Sequence, residues 1–251
     1  MQDTFELAIV AALEREVRPL VKNWRAVSRE YDGRRYKFFE RDRTVVVCGG
    51  IGAEAARRAT EAMINLYQPA RIRSAGFAGA LNSKLKAGDI FIPSCVIDAK
   101  DGSRAETGQG NGMLLTAPII AGPAQKSKFA QAYGAEAIDM EAAAVARGAQ
   151  SHGISFDAVK SISDESHSEL PPVDRFIGDE GQFLTFRFGA FTAIRPWLWI
   201  RTFRLARNSA KASRALCHWL DQAMGQPEKN ENPQFEAHPI SGTRVKGSGS
   251  V

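Results

Sequence analysis

Short apolar runs of strand length alternate along this chain with segments of helical period, and that alternation narrows the possible folds more than any other feature. Residues 7–13 (LAIVAAL), 44–48 (TVVVC), 72–77 (IRSAGF), 89–97 (DIFIPSCVI) and 156–162 (FDAVKSI) read as strands, most of them apolar enough for burial on both faces. Between them, residues 53–67 (AEAARRATEAMINLY), 126–133 and 140–152 have helical composition and spacing, and Pro69, Gly88 and Gly153 separate the units. Buried strands joined through helices predict a three-layer α/β/α domain around a mostly parallel, twisted central sheet. Ligands of such sheets bind beyond the carboxyl ends of the strands, so strand ends are where chemistry is to be sought.

The domain is expected to occupy residues 1–224. After Pro171-Pro172 the character changes: residues 183–194 are aromatic and weakly patterned, and Pro196 is placed to open a helix reaching about Met224. From Gly225 onward Pro, Asn, Glu, Gly and Ser dominate, which predicts a disordered tail over 225–251. No run approaches the roughly 20 apolar residues that span a bilayer. The N-terminal MQDTFE carries acids where a signal peptide has a basic segment. Cys48, Cys95 and Cys217 are odd in number and far apart, and His152, His167, His218 and His238 lack ligand spacing. The expectation is a cytoplasmic protein with reduced thiols, no metal and no organic cofactor. The net charge of +5 is concentrated in the last helix and tail, and no motif for nucleic acid accompanies it.

Three acids stand at predicted strand ends or helix starts. Glu16 follows the first strand in Ala12-Leu13-Glu14-Arg15-Glu16-Val17, Glu141 opens an alanine-rich helix in Asp139-Met140-Glu141-Ala142, and Asp164 ends a buried strand in Ile162-Ser163-Asp164. Taken singly, each has a competing reading as a helix cap, because acids are favoured at helix N-termini. Gly49, Gly50 and Gly52 could suggest a phosphate loop, but without a Walker lysine or a full dinucleotide fingerprint they need only close strand–helix packing.

Taken in order, these segments resemble the nucleoside phosphorylase/nucleosidase superfamily, which contains the methylthioadenosine/S-adenosylhomocysteine nucleosidases and the purine nucleoside phosphorylases. The matching elements are the strand end at Glu16, Gly50-Ile51-Gly52, the turn Gly76-Phe77-Ala78-Gly79, the strand entry Gly88-Asp89, the Met140-Glu141 pair and Ile162-Ser163-Asp164. The resemblance implies an enzyme that breaks the N-glycosidic bond of an adenine-type purine nucleoside. It gives Asp164 the role of general acid at N7 of the leaving base, Glu141 that of holding the ribose hydroxyls, and Glu16 that of positioning water. Such an acid needs a carboxyl that still carries its proton at neutral pH. Met140, Phe77, Ala78, Gly79 and Ser163 would line the substrate pocket, and the assembly implied is a homodimer.

Phosphorylases of this superfamily hold phosphate with an arginine and a serine flanking the Gly of that turn; here Ser74 and Phe77 stand in those places. A phosphate dianion would lose a charge-assisted donor and a hydroxyl, so hydrolysis is the preferred expectation over phosphorolysis. A non-catalytic nucleoside-binding module is the rival from another class, and the three acids speak against it. The second half resembles the hopanoid-associated phosphorylase subfamily, through Ser168-Glu169-Leu170-Pro171-Pro172, Gly178-Asp179-Glu180-Gly181 and Arg195-Pro196-Trp197 before a basic last helix. That resemblance implies removal of adenine from adenosylhopane, a membrane lipid. In the last helix Arg201, Arg204, Arg207, Lys211 and Arg214 share one arc, with Trp199, Phe203, Ala206, Ala210, Cys217 and Leu220 on the other. Two expectations follow: a helix packed on its own domain with a basic outer face, or one touching a membrane surface.

Overall fold

The computed structural model describes residues 5–178 and 180–225. The tail expected over 225–251 lies, apart from Gly225, outside the described residues. Strand β1 (Leu7–Ala11) is buried along its whole length at the middle of the sheet. It pairs in parallel with β4 (Thr44–Cys48) on one side and β5 (Arg71–Ala80) on the other. Beside β5 runs β11 (Ser155–Asp164), also parallel, which carries the short β6 (Ile90–Phe91) antiparallel on its far edge.

The sheet is mixed, which corrects the expectation of a mostly parallel one. Strands β2 (Arg25–Tyr31) and β3 (Arg34–Arg41) form a hairpin antiparallel to β4. Its turn is Asp32-Gly33, with φ of 51° and 69°, as a tight hairpin of the primed type demands. At the other side β10 (Ala137–Asp139) pairs antiparallel with the end of β5 and parallel with β9 (Met113–Thr116), beyond which lie β7 (Cys95–Asp98) and β8 (Arg104–Glu106). The hairpin sequence RAVSREY is polar because β2 is largely solvent-exposed, so a search for apolar runs passes over it. The run 89–97, expected as one strand, is two: Pro93 has no N–H for the ladder, and β6 ends before it.

Helices cover both faces. α2 (Ala53–Tyr67) and α4 (Ala142–Ser151) pack Ala59, Met63, Val145 and Ala149 against Phe38, Val45, Val47 and Ile72. On the opposite face α1 (Glu14–Val21) and α6 (Pro196–Gly225) bury Val17, Leu20, Leu216 and Leu220 against Ile9, Phe39, Val46 and Val159. α3 (Pro123–Tyr133) lies over Ile97, Leu115 and Ile138. A short 3-10 turn (Val173–Phe176) and α5 (Thr185–Ala193) lead into α6. The buried side of α6 is Leu198 and then Ala212 to Leu220, while Phe203, Ala206 and Ala210 are exposed. The apolar arc read from the sequence is therefore packed only in the second half of the helix. Among the described residues no helix is long and apolar enough to cross a membrane.

Candidate active site

The carboxyl ends of β1, β5 and β11 and the starts of α1 and α4 open into a cavity of about 940 Å³, at the top of the usual range of roughly 300–1,000 Å³ for small-molecule sites. Glu16, Glu141 and Asp164 all line it, as do Phe77, Ala78, Gly79, Met140 and Ser163. Every candidate residue from the sequence is thus in one place.

Glu16 is reached through the first turn of α1, directly after β1. Its side chain does not cap that helix; it is buried, and Oε2 finds no hydrogen-bond partner among the described residues. A β-carbon at position 76 would lie 2.8 Å from Oε2, so only glycine on β5 leaves the carboxylate this close to the strand. Burial pushes its pKa up to about 7, against the opposing pull of Lys160 and Arg15.

Glu141 stands at the N-cap position of α4 without capping it. The caps come from neighbours: Asp139 Oδ2 accepts from Ala142 N–H at 2.9 Å, and Thr116 Oγ1 accepts from Ala143 N–H at 3.1 Å. Glu141 Oε1 instead accepts from Gly52 N–H at 2.8 Å and Oε2 from Met140 N–H at 3.3 Å. Burial first, then the nearby Asp139, raise its pKa to about 8, with Lys160 opposing.

Asp164 is turned toward the cavity by a register shift in the β5–β11 pairing, where Ile162 faces Ala78 and Asp164 faces Gly79. A bulge of this kind re-aims a side chain at a strand end. Oδ1 accepts from Ser163 Oγ at 2.7 Å, and Oδ2 is paired with the buried ammonium of Lys126 from α3.

Two lysines here have no role in the sequence reading. Lys160, within β11, is buried; it bonds Asp139 Oδ2 at 2.8 Å and donates to Ser74 Oγ at 2.9 Å. A lysine in a strand read as buried was the signal for it, since a buried charge needs partners. Lys126 gave none, because a lysine in a polar helix ordinarily faces water. Ser74, in the place of the phosphorylases' arginine, is thus tied to Lys160 beneath the cavity. Arg73 turns to the opposite face, where it pairs with Asp157 and lies 5.1 Å from the Trp219 ring. Among the described residues no group of three or more His, Cys, Asp and Glu could hold a metal ion.

The profile of the phosphorylase superfamily matches residues 6–124 and 112–182, more than half of the chain, including Glu16, Glu141 and Asp164. The chain belongs to the phosphorylase superfamily. Within it, the chain is similar to 5'-methylthioadenosine/S-adenosylhomocysteine nucleosidases. That of Buchnera aphidicola is 27% identical, with 64% of this chain and 84% of that protein covered. That of Staphylococcus aureus is 26% identical, with 65% and 88% covered. Among solved structures, the Helicobacter pylori nucleosidase superposes with a TM-score of 0.66 at 15% identity, over 89% of this chain and 99% of that one. The Streptococcus pyogenes nucleosidase in complex with 5-methylthiotubericidin gives 0.64 at 17%, over 88% and 95%. The futalosine hydrolase of H. pylori gives 0.63 at 18%, over 88% and 100%. Each of these superpositions covers close to nine tenths of this chain.

Proposed function

We propose that this member of the phosphorylase superfamily is a purine nucleosidase, which hydrolyses the N-glycosidic bond of an adenine-type nucleoside. The observation that carries the reading is the convergence of Glu16, Glu141 and Asp164 on one cavity with none of them serving as a helix cap. Asp164 protonates N7, so the base leaves neutral. Glu141, held by Gly52, accepts hydrogen bonds from the ribose hydroxyls and favours the cationic sugar of the transition state. Glu16 Oε2, buried and without a hydrogen-bond partner among the described residues, orients the attacking water and takes its proton. Glycosidic cleavage by other enzymes divides the work in the same way, one acid for the leaving group and one carboxylate for the nucleophile.

Water rather than phosphate is the nucleophile in this reading. Phosphate needs charge-assisted donors to replace its hydration. Ser74 is engaged with Lys160, and Phe77 offers only a ring. The names of the similar proteins, nucleosidases and a hydrolase, support the same choice. The test is release of free adenine from candidate nucleosides with and without phosphate. Hydrolysis gives free ribose product at the same rate in both, and turnover strictly dependent on phosphate with a sugar phosphate as product overturns the reading.

The 5′ substituent in this reading is bulky and apolar, and the enzyme meets it at an anionic lipid surface. The cavity lining includes Ile177, Phe183, Phe188 and Leu205 from the segment that ends in α5 and α6. The outer side of the same segment leaves Phe186 89%, Ile194 73%, Trp197 71%, Ile200 73% and Phe203 71% exposed. From Gly181 to Leu220 there is no acid, against Arg187, Arg195, Arg201, Arg204, Arg207, Lys211 and Arg214. Aromatic anchors amid a cation-rich segment suit the boundary of an anionic membrane.

A further inference from the structure

The surroundings of Asp164 suit a carboxylate, whereas a general acid must hold a proton. Oδ1 accepts from the Ser163 hydroxyl at 2.7 Å, and Oδ2 accepts from Lys126 Nζ. Lys126 is 1% exposed, yet it lines the cavity. Its ammonium has three N–H donors, and three oxygens receive them: Asp164 Oδ2, the Glu165 carbonyl at 2.8 Å and the Asp164 carbonyl at 3.5 Å. With both oxygens of Asp164 accepting, the proton nearest the leaving base is on Lys126. The chain has also made room for the pair. A β-carbon at position 79 would lie 2.9 Å from Asp164 Oδ2 and 3.2 Å from Lys126 Cε, so Gly79, near the end of β5, accommodates both partners.

We propose that Lys126 and Asp164 act as one acid, with Lys126 supplying through Asp164 the proton that the departing purine takes up; this rests on the nucleosidase reading above. The C1′–N9 bond breaks with its electron pair going to the base. Asp164 Oδ2 passes a proton to N7 and receives one from Lys126 Nζ, which becomes a neutral amine. Water bonds to C1′ through oxygen and gives a proton to Glu16, from which it reaches solvent; Lys126 regains a proton from solvent once the base has left. The sum is nucleoside plus water to neutral purine plus free sugar. Lys126 thus works through Asp164.

The deciding experiment compares Lys126→Arg and Lys126→Met with the wild type on an adenine nucleoside and on a nitrophenyl riboside, whose leaving group departs without a proton. Arginine keeps the charge and the ion pair, but a guanidinium does not give up its proton. We expect kcat for the nucleoside to fall by about 10²–10⁴-fold in both variants, the usual size of general acid catalysis. KM in Lys126→Arg should stay near the wild-type value, and the nitrophenyl riboside should still be cleaved. Wild-type kcat in Lys126→Arg overturns the proposal, because the lysine then supplies only charge. Equal loss on both substrates in a folded Lys126→Arg overturns it too, because the lysine is then only a prop. A wild type that releases no base from any purine nucleoside fails at the earlier step and removes the nucleosidase reading itself.

Discussion

The main-chain N–H of Gly52 donates to Glu141 Oε1 at 2.8 Å, joining two motifs 89 positions apart in sequence. The bond exists because α4 does not need Glu141 as a cap: Asp139 and Thr116 serve the first free N–H groups of the helix. Gly52 reaches this position with φ of 97°, a conformation side chains avoid, immediately before α2. One carboxylate oxygen is thereby fixed by the backbone at the cavity wall, with lone pairs left for a ligand.

Above pH 8, where Glu141 is ionised, Glu141→Gln should therefore lower kcat/KM on a ribonucleoside by about 10–100-fold, the equivalent of roughly 1.5–3 kcal/mol for hydrogen bonds to a charged group. The amide keeps the shape and one acceptor but not the charge. On a 2′-deoxynucleoside the loss should be smaller, because one of the bonds is already missing. Equal losses on the two substrates would detach Glu141 from the ribose hydroxyls.

Glu16 yields a prediction in pH. Burial lifts its carboxyl to about 7, so the ionised form that can take a proton from water appears only as pH rises through neutrality. Activity should climb through that range, and Glu16→Gln should abolish the climb along with turnover. Stability moves the other way. A carboxyl with a folded pKa above its unfolded value contributes fully below the unfolded value, and that contribution is lost as pH rises through the folded one. At pH 8 the neutral Glu16→Gln variant should thus melt at higher temperature than the wild type, by up to on the order of 3 kcal/mol. At pH 4 the two should melt together. Thermal melts at the two pH values test the sign directly.

The parts of this protein that announced themselves in sequence are those whose physics is local. β1, β4 and α2 are apolar or periodic over their own length, and each acid sits in a short motif at the end of such an element. What did not announce itself depends on distant partners. The β2–β3 hairpin is polar because one of its faces meets water, and the antiparallel pairing of β10 with β5 depends on a register no local pattern encodes. Lys126 looks like a surface lysine until Asp164, 38 positions away, folds against it, and the partner that Lys160 needs, Ser74, lies 86 positions away. In α6 the periodicity correctly gave a helix. It did not give which half would find a partner, since that depends on where α1 and β11 stop.

The glycines toward the end of β5 give a sharp steric test. Gly76→Ala puts a β-carbon 2.8 Å from Glu16 Oε2, a separation that real side chains essentially never show. Glu16 must yield, and a displacement of about 1 Å in a catalytic group can cost 10²-fold. We expect kcat to fall by about that factor while the melting temperature changes little, since alanine suits a strand interior at least as well as glycine. Gly189→Ala in α5 is the control: nothing lies within 4 Å of the added carbon, so activity should be retained. Wild-type kcat in Gly76→Ala would show that the position of Glu16 is not critical.

The exposed aromatic segment gives the last prediction. Trp197, Ile200 and Phe203 recur at three-residue steps along the first half of α6, which leaves them largely exposed while Leu198 packs inward. Exposed apolar groups of this size usually mark an interaction surface, and the surrounding Arg201, Arg204 and Arg207 give the partner its sign. The protein should sediment with vesicles containing phosphatidylglycerol and not with phosphatidylcholine alone. Raising the salt should weaken the association, because charges at a surface are screened over about 10 Å at 0.1 M. Replacing Trp197, Ile200 and Phe203 together by serine should abolish sedimentation and leave turnover of a small soluble nucleoside unchanged, as none of the three lines the cavity. If the wild type stays in the supernatant with anionic vesicles and the triple variant converts a dimer to a monomer on sizing, the patch is the contact between two copies of this chain and the membrane reading fails.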